Sequence, residues 1–342
     1  MKTAVFCYSL KGRDTASRVA GVIKKEYGTE AECFAPERMA DEGFGAIPRP
    51  SGDFYGGYFD SKDLIVSVGS VGIAFRHFAP YLRSKVTDPA IIVIDELGQH
   101  VIPVLSGHIG GANRISLLLA EKLGGEAVIT TATDINGKFA VDEWAAKNSM
   151  AISSMKTAKD FAAAILERDL PLKSDFGISG RLPSGMKPGE EGDLGLYVTW
   201  TKETPFEKTL RVIPKCIYLG IGCRRGIEAE AIRQAVHKAA EDNDIDLRAV
   251  KGIASIDLKK DEEGLLIFAG EMGIEPEFFT ADELLTAEGN FTPSEFVKGV
   301  TGVDNVCERA ALMRADRLIM KKTALNGVTV AAAVVNTEVS FE

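Results

Sequence analysis

The feature that most constrains this 342-residue chain is an apolar segment that ends abruptly in small and polar residues. Residues 101–105 lead directly into residues 106–113, which contain a serine, a histidine and three glycines. Leu117, Leu118 and Leu119 follow among charged residues, up to Gly124 and Gly125. The pattern predicts a strand, a turn and a helix. Unpaired N–H groups at the start of such a helix can hold a carboxylate or an oxyanion.

The same arrangement occurs at two other places nearby. Residues 64–68 enter the small residues 69–72, and residues 127–130 enter residues 131–134. In open α/β sheets, ligands bind outside the carboxyl ends of the strands. We therefore expect these strand ends to form one crevice at the carboxyl edge of a largely parallel sheet. Its candidate ligand-binding residues are Ser70, Gly110, Gly111, Asn113 and Thr131.

Apolar runs alternate with helical patterns along much of the chain, which predicts an α/β fold. We expect an N-terminal α/β domain over residues 1–150 and a C-terminal α/β domain over residues 215–342, both with mainly parallel sheets. Residues 151–214 are rich in glycine and proline and predict a small, loop-rich middle segment with one strand pair, residues 196–201 and 209–213.

Two connections in the N-terminal part are also informative. Residues 41–60 are rich in glycine, proline and aromatic residues, and we predict a long loop there. Asp95 and Glu96 stand beside Gly98, between two apolar runs, and are most simply hairpin residues.

Composition excludes several classes of protein. A formal net charge of -9 argues against nucleic-acid binding, which needs a basic face. The five cysteines include no CxxC pair, so we expect reduced thiols and a cytoplasmic protein. Residues 3–9 predict a first strand rather than a signal peptide, and no apolar run is long enough for a membrane span.

Ser106, His108 and Asp134 are the candidate catalytic residues. An imidazole suits general-base work on water, and turn N–H groups could stabilise an oxyanion. Asp134, at a neighbouring strand end, could orient the histidine. A structural interpretation stays open: Ser106 would cap the following helix, His108 would bind a backbone carbonyl, and Asp134 would be a turn residue.

Basic residues cluster after three strand ends. The clusters contain Arg76, His77, Arg83 and Lys85; Arg224 and Arg225; and Lys259 and Lys260. Arginine's planar fork matches carboxylates, so three such clusters in an acidic chain suggest a ligand with several carboxylates. Taken alone, any one of these clusters is more simply interpreted as ordinary surface charge.

Recognisable cofactor motifs are missing from the sequence. The glycines Gly220, Gly222 and Gly226 approximate a dinucleotide fingerprint, but the last spacing is wrong, and there is no GxxxxGK[ST] phosphate loop. Four scattered histidines and unpaired cysteines do not indicate a metal site. We therefore expect chemistry without a bound cofactor.

With these residues in hand, the chain resembles the cobalt-precorrin-5A hydrolase family of anaerobic cobalamin biosynthesis. The resemblance depends on segments in both α/β parts. They are residues 69–74, 87–90, 103–113, 130–134, 220–226, 254–260 and 306–308. The long run of serine, glycine, histidine and asparagine in residues 106–113 is the most specific of them.

The resemblance implies hydrolytic opening of a δ-lactone on a cobalt-containing corrinoid, with loss of acetaldehyde. The substrate would bring the cobalt, and its acetate and propionate groups would explain the basic clusters. Neighbouring methyltransferases of the pathway and a second copy of the chain are further partners to consider. Two other functions stay open: a non-catalytic corrinoid carrier or chaperone, and a nucleotide-binding enzyme that uses the turns at Gly69 or Gly220.

Overall fold

A computed structural model describes residues 1–84, 87–108 and 110–341 of the chain. The chain divides into two compact units, Met1–Glu143 and Trp144–Glu342. Residues 151–214, the predicted middle segment, therefore lie in the same unit as the predicted C-terminal domain.

A seven-stranded sheet forms the centre of the first unit, in the order β3-β2-β1-β4-β5-β6-β7. The strands are β1 (Thr3–Cys7), β2 (Ala31–Pro36), β3 (Gly45–Ile47), β4 (Leu64–Val68), β5 (Ala90–Ile94), β6 (His100–Leu105) and β7 (Glu126–Ala127). The helices are α1 (Leu10–Tyr27), α2 (Gly52–Ser61), α3 (Val71–Phe78), α4 (Ala112–Leu123) and α5 (Ala132–Ile135), and α6 (Val141–Lys147) begins in this unit. Strands β1, β4 and β5 are buried throughout because helices cover both faces of the sheet.

The direction of β6 decides where the predicted site lies. Strands β1, β4 and β5 are parallel, whereas β6 runs antiparallel to β5, with Ile94 opposite Val101. The turn after β6 therefore lies at the edge where β4 and β5 begin, and the prediction of one crevice at a common carboxyl edge is wrong. The physical reason is the short connection of residues 95–99, which can join only antiparallel strands. The prediction of a hairpin at Asp95 is confirmed.

Residues 41–60 were predicted as a long loop, which is wrong because they contain β3 and most of α2. Tyr55 and Phe59 of α2 are buried in an aromatic cluster. Gly56 allows close packing, since a Cβ there would lie 2.8 Å from the ring of Tyr81. Tertiary packing thus overrides the low helix propensity of glycine.

The second unit contains twelve strands in its described residues. They are β8 (Ala151–Ile152), β9 (Leu170–Ser174), β10 (Gly177–Ser179), β11 (Met186–Pro188), β12 (Leu194–Val198), β13 (Lys208–Ile213), β14 (Ile217–Cys223), β15 (Val250–Ile256), β16 (Glu277–Phe279), β17 (Arg317–Leu325), β18 (Val328–Val334) and β19 (Glu338–Ser340). Six helices accompany them: α7 (Met155–Glu167), α8 (Ala229–Asp242), α9 (Glu263–Glu271), α10 (Ala281–Leu285), α11 (Glu295–Thr301) and α12 (Cys307–Leu312).

Two five-stranded sheets organise this unit, in the orders β11-β9-β12-β13-β8 and β16-β15-β14-β18-β17. The predicted strand pair corresponds to β12 and β13, which are parallel, and three further strands complete their sheet. Arg211 of β13 pairs with Asp246 before β15 at 2.8 Å, and Thr201 bridges to Ile245. These contacts explain why residues 151–213 and the C-terminal sheet form one compact unit.

The glycine run after Leu219 has a packing role in this unit. Gly220 lies in β14 against α12, and a Cβ there would lie 1.8 Å from the carbonyl oxygen of Cys307. The glycine therefore lets the helix approach the strand closely, which accounts for its presence without a nucleotide.

Within the described part of the chain, no helix has both the length and the apolar content needed to span a bilayer.

Candidate functional site

His108 lies between two carboxylates in the first unit. Its Nε2 is 2.9 Å from Asp134 Oδ2, and its Nδ1 is 3.3 Å from Asp142 Oδ1. The side chain of His108 is only 14% exposed, so these charge contacts are partly shielded from solvent. The structure therefore brings the predicted pair His108 and Asp134 together, and it adds Asp142.

Neutral side chains contact Asp134 and the imidazole of His108. Asn113 donates from Nδ2 to Asp134 Oδ2 at 3.0 Å and to Thr131 Oγ1 at 3.1 Å. The Oγ1 of Thr133 is 3.3 Å from His108 Nε2. Asn113 is the second residue of α4 and Thr131 precedes α5, so the starts of two helices hold the cluster together.

These contacts determine the protonation of His108. The hydrogen bond to Asp142 is the largest influence and raises the pKa of His108 to about 9, with Asp134 adding to the rise and burial opposing it. The imidazole is therefore positively charged at neutral pH. Burial raises the pKa of the neighbouring Glu143 carboxyl above its ordinary value, and the negative charges of Asp134 and Asp142 add to that rise.

Asp142 and Glu143 were missed by the sequence analysis. They lie in α6, more than 30 residues after His108, and no local spacing links them to the histidine. Ligand-type atoms of His108, Asp134 and Glu143 all lie within 4.8 Å of one another, a spacing that could also accommodate a cation. In this structure the charged imidazole itself supplies positive charge among the carboxylates.

Ser106 contacts a different group. Its Oγ donates to the carbonyl oxygen of Asp88 at 2.9 Å, and the residue is buried with a left-handed φ of 54°. Its carbonyl oxygen accepts from the N–H of Ala112. The serine thus fastens the turn after β6 to the start of β5.

The glycine turn is tightly folded. A Cβ on Gly110 would lie 2.5 Å from Ser106 Cβ, so only glycine fits there. Gly111 precedes α4 and donates its N–H to the carbonyl of His108 at 2.9 Å, which uses one of the amides expected to hold an oxyanion. Residue Ile109 of this turn lies outside the described residues.

Ser70 and Arg76 lie apart from the His108 cluster. Ser70 follows β4 at the opposite edge of the sheet, beside the end of β5, where Gly69 donates to the carbonyl of Ile94 at 2.8 Å. Arg76 is exposed on α3, which begins at that edge. The reversal of β6 separates both residues from His108, so the prediction that Ser70 lies in the same crevice as Gly110 and Asn113 is wrong.

His77 and Arg83 of the first basic cluster contact other parts of the first unit. His77 stacks on Tyr55, with ring centroids 4.0 Å apart, and Arg83 pairs with Asp60 at 2.8 Å on the surface. Lys85 lies outside the described residues.

A cavity of about 620 Å³ opens in the second unit, at the carboxyl ends of β14 and β15. Arg224, Arg225 and Lys259 line it, as the shared strand edge predicts. Lys260 does not line the cavity and is exposed. Lys322 of β17 also lines it and was not predicted, because no turn motif precedes this residue.

Arg224 and Arg225 differ in their surroundings. Arg225 donates to Asp261 Oδ1 at 2.6 Å and to the carbonyl of Leu258 at 2.7 Å. Arg224 lies against Gly327 in the turn between β17 and β18. Among the described residues, no carboxylate lies within 4.0 Å of the Arg224 guanidinium, so only Arg225 is neutralised within the protein.

The fold and these two sites define a two-unit α/β protein with a histidine–carboxylate cluster in one unit and a cation-lined cavity in the other. Residues 53–134 match the family described as Cobalamin synthesis G N-terminal, and residues 217–333 match Cobalamin synthesis G C-terminus. The chain belongs to the cobalamin synthesis G family.

Two curated relatives extend this likeness over most of the chain. The cobalt-precorrin-5A hydrolase of Salmonella typhimurium is 33% identical over 353 aligned residues, which cover 97% of each chain. The cobalt-precorrin-5A hydrolase of Priestia megaterium is 31% identical, covering 81% of this chain and 80% of its own. The resemblance found in the sequence is thereby confirmed.

Proposed function

We propose that this chain is a cobalt-precorrin-5A hydrolase of anaerobic cobalamin biosynthesis. The observation that carries the proposal is the 33% identity, over 97% of both chains, to the Salmonella protein of that name. The reaction opens the δ-lactone of the cobalt corrinoid and releases acetaldehyde, which gives cobalt-precorrin-5B. The substrate brings the cobalt, and the proposal includes no separate cofactor.

The His108 cluster is the proposed place of lactone opening. Water adds to the lactone carbonyl, and the ring oxygen leaves as the acyl–oxygen bond breaks. His108 is charged at neutral pH, so its role in the proposal is proton donor to the departing oxygen rather than base. Asp134 holds the imidazole in place, and Glu143 is the proposed base that takes the proton of the attacking water.

Acetaldehyde loss follows from the opened product. The freed hydroxyl stands on the extruded carbon that carries the methyl group. When this hydroxyl loses its proton, a C=O bond forms and the bond from that carbon to the macrocycle breaks. The macrocycle keeps the electron pair and takes up a proton, so the step needs no oxidant or reductant.

The basic residues of the second unit are the proposed substrate-binding residues. Arg224, Arg225 and Lys259 line one cavity, and guanidinium and ammonium groups bind carboxylates well. All five cysteines are free thiols, which suits a reducing compartment, and the proposal places the reaction in the cytoplasm.

The test is anaerobic incubation of the purified protein with cobalt-precorrin-5A, followed by assay of acetaldehyde and of the mass of the macrocycle. The proposal requires acetaldehyde together with a mass change equal to water gained and acetaldehyde lost. Release of acetaldehyde at the rate of a protein-free control contradicts it.

The cation-lined cavity favours one alternative, a corrinoid carrier that binds the macrocycle and leaves its lactone intact. A carrier needs the cavity but not the His108 cluster. In the same incubation it would return a bound macrocycle of unchanged mass.

A further inference from the structure

The cavity of the second unit has more positive than negative charge on its walls. Four cationic side chains line it, and the one carboxylate among the lining residues, Asp304, already pairs with Arg309 at 3.0 Å. Arg225 is neutralised by Asp261, as described above. Arg224 and Lys322 have no carboxylate of the described residues within 4.0 Å, whereas Lys259 has Glu262 at 3.6 Å.

Lys322 is fixed by a main-chain hydrogen bond, whereas its side-chain ammonium has no ion-pair partner in the described part of the chain. Its N–H donates to Glu308 Oε1 at 2.7 Å, and Glu308 is fully buried. Its Nζ has one long contact, 3.5 Å to the carbonyl of Thr292. In the described part of the chain, no carboxylate lies within 4.0 Å of this Nζ. A half-buried ammonium with one weak acceptor favours an anion brought by a ligand.

Lys259 keeps its donors available in a different way. Its Nζ is 3.6 Å from Glu262 Oε2, too far for a hydrogen bond. Glu262 is 3% exposed; its Oε1 accepts from Gly226 and Ile227, whereas its Oε2 is buried without a hydrogen-bond partner. The buried carboxylate thus keeps the ammonium at the cavity wall and leaves its N–H groups free for a ligand.

Other walls of the same cavity are apolar. The side chains of Val297, Val300, Val306 and Leu325 line it, and Val300 is 65% exposed. A ligand that pairs with the cations and also packs against the apolar side chains needs an apolar surface and several anionic groups on one edge. The cavity volume of about 620 Å³ lies within the range of small-molecule sites.

We propose that Lys322 is a carboxylate-binding residue of this cavity, where it acts with Arg224 and Lys259 to hold the carboxylate-bearing edge of a corrinoid against the valine-rich wall. This inference rests on the proposed function for the identity of the ligand. It adds Lys322, which no turn motif indicates, to the substrate-binding residues. It also makes Glu262 the residue that positions Lys259.

The test compares two stable corrinoids that differ in charge. Cobyrinic acid carries free carboxylates, whereas cobinamide carries amides at the corresponding positions. Their dissociation constants are measured by titration calorimetry with the full-length wild type and with Lys322→Met, which keeps the length of the stem but removes the charge. We expect Lys322→Met to raise the dissociation constant of cobyrinic acid about tenfold and to leave that of cobinamide within about twofold.

Two further variants make the result specific. Lys322→Arg keeps a cation and should restore most of the affinity for cobyrinic acid. Lys321→Met removes a charge from the adjacent, exposed residue of β17, which does not line the cavity, and should bind both corrinoids like the wild type. Equal affinity of Lys322→Met and wild type for cobyrinic acid would overturn the inference. Equal weakening for both corrinoids would also overturn it, since the loss would then be structural.

The corrinoid-binding test of Lys322 and the acetaldehyde assay of the proposed function can fail independently. Charge-selective binding through Lys322 without acetaldehyde release would retain the inference and remove the hydrolase. Acetaldehyde release with charge-independent binding at Lys322 would retain the hydrolase and remove the inference.

Discussion

The two sites differ in whether their charged side chains are paired within the protein. In the first unit, Asp134 and Asp142 flank one imidazole, and each charged group has a partner within the protein. In the second unit, Arg224 and Lys322 line a cavity, and no carboxylate of the described residues lies within 4.0 Å of either. Internal pairing fixes a proton and a geometry, which catalysis needs. Unpaired cations leave electrostatic energy to be gained when a ligand binds.

The largest expected effect comes from breaking the internally paired site. His108→Gln removes the imidazolium, and we expect a fall of about 10²–10⁴-fold in the rate of acetaldehyde release, with corrinoid affinity within about twofold of wild type. Single-turnover kinetics and calorimetry measure the two quantities. The matched control is His100→Gln, since His100 also contacts an aspartate, Asp95, but is 53% exposed and lies at the opposite end of β6 from His108. Comparable losses in both variants would contradict the contrast between the sites.

The protonation of His108 gives the second prediction. Its pKa in the folded protein, about 9, lies above its ordinary value of 6.5. The resulting stabilisation is therefore fully present below pH 6.5 and is lost as pH rises through 9. It amounts to about 3 kcal/mol at most. Acetaldehyde release should fall above pH 9, by about tenfold per pH unit.

Urea unfolding across this pH range checks the linkage. His108→Gln should flatten the pH dependence of the unfolding free energy between pH 6.5 and 9. An activity profile that rises through pH 9, where His108 loses its proton, would instead show that the neutral imidazole acts as a base.

The third prediction separates the two adjacent arginines. Arg224→Met should raise the dissociation constant of cobyrinic acid about tenfold, because this guanidinium has no internal carboxylate partner among the described residues. Arg225→Met should raise it only about twofold, because Asp261 already neutralises that side chain. Equal effects would show that internal pairing does not decide which cations bind the ligand.

The smallest expected effect concerns Ser106. Ser106→Ala removes a hydrogen bond to the carbonyl of Asp88, and the free energy of unfolding should fall by about 1 kcal/mol. The rate of acetaldehyde release should change by less than about threefold, since the hydroxyl does not contact the His108 cluster. A hundredfold loss of rate with unchanged stability would return Ser106 to the catalytic group.

Local patterns in the sequence predict the elements of the fold better than their arrangement. The apolar runs before Gly69 and Arg224 are mostly buried strands, because burial requires continuous apolar residues. The run before Ser106 is strand β6, in which only Val101 is buried. The direction of β6 was also accessible, since a hairpin at Asp95 excludes a parallel β6. The predicted hairpin at Asp95 and the predicted common carboxyl edge for β4 and β6 are therefore incompatible, and the hairpin is the one that the structure contains.

The candidate site was only partly predictable because half of it comes from distant segments. His108 and Asp134 follow apolar strand runs, which place polar residues at sheet edges. Asp142 and Glu143 lie in a short helix with no motif, and Lys322 lies in the middle of a strand. These residues become neighbours of the sites only through tertiary packing, which single-sequence periodicity does not encode.

The antiparallel turn at β5–β6 also has a consequence for the order of folding. Strand β6 reaches β5 through five intervening residues, so the two can pair early, at the small entropic cost of a short loop. Asp134 and Asp142 arrive from segments 26 or more residues beyond His108. The glycine turn would thus form before its carboxylates dock, and a nascent chain would carry the histidine for some time with an ordinary pKa and no fixed orientation.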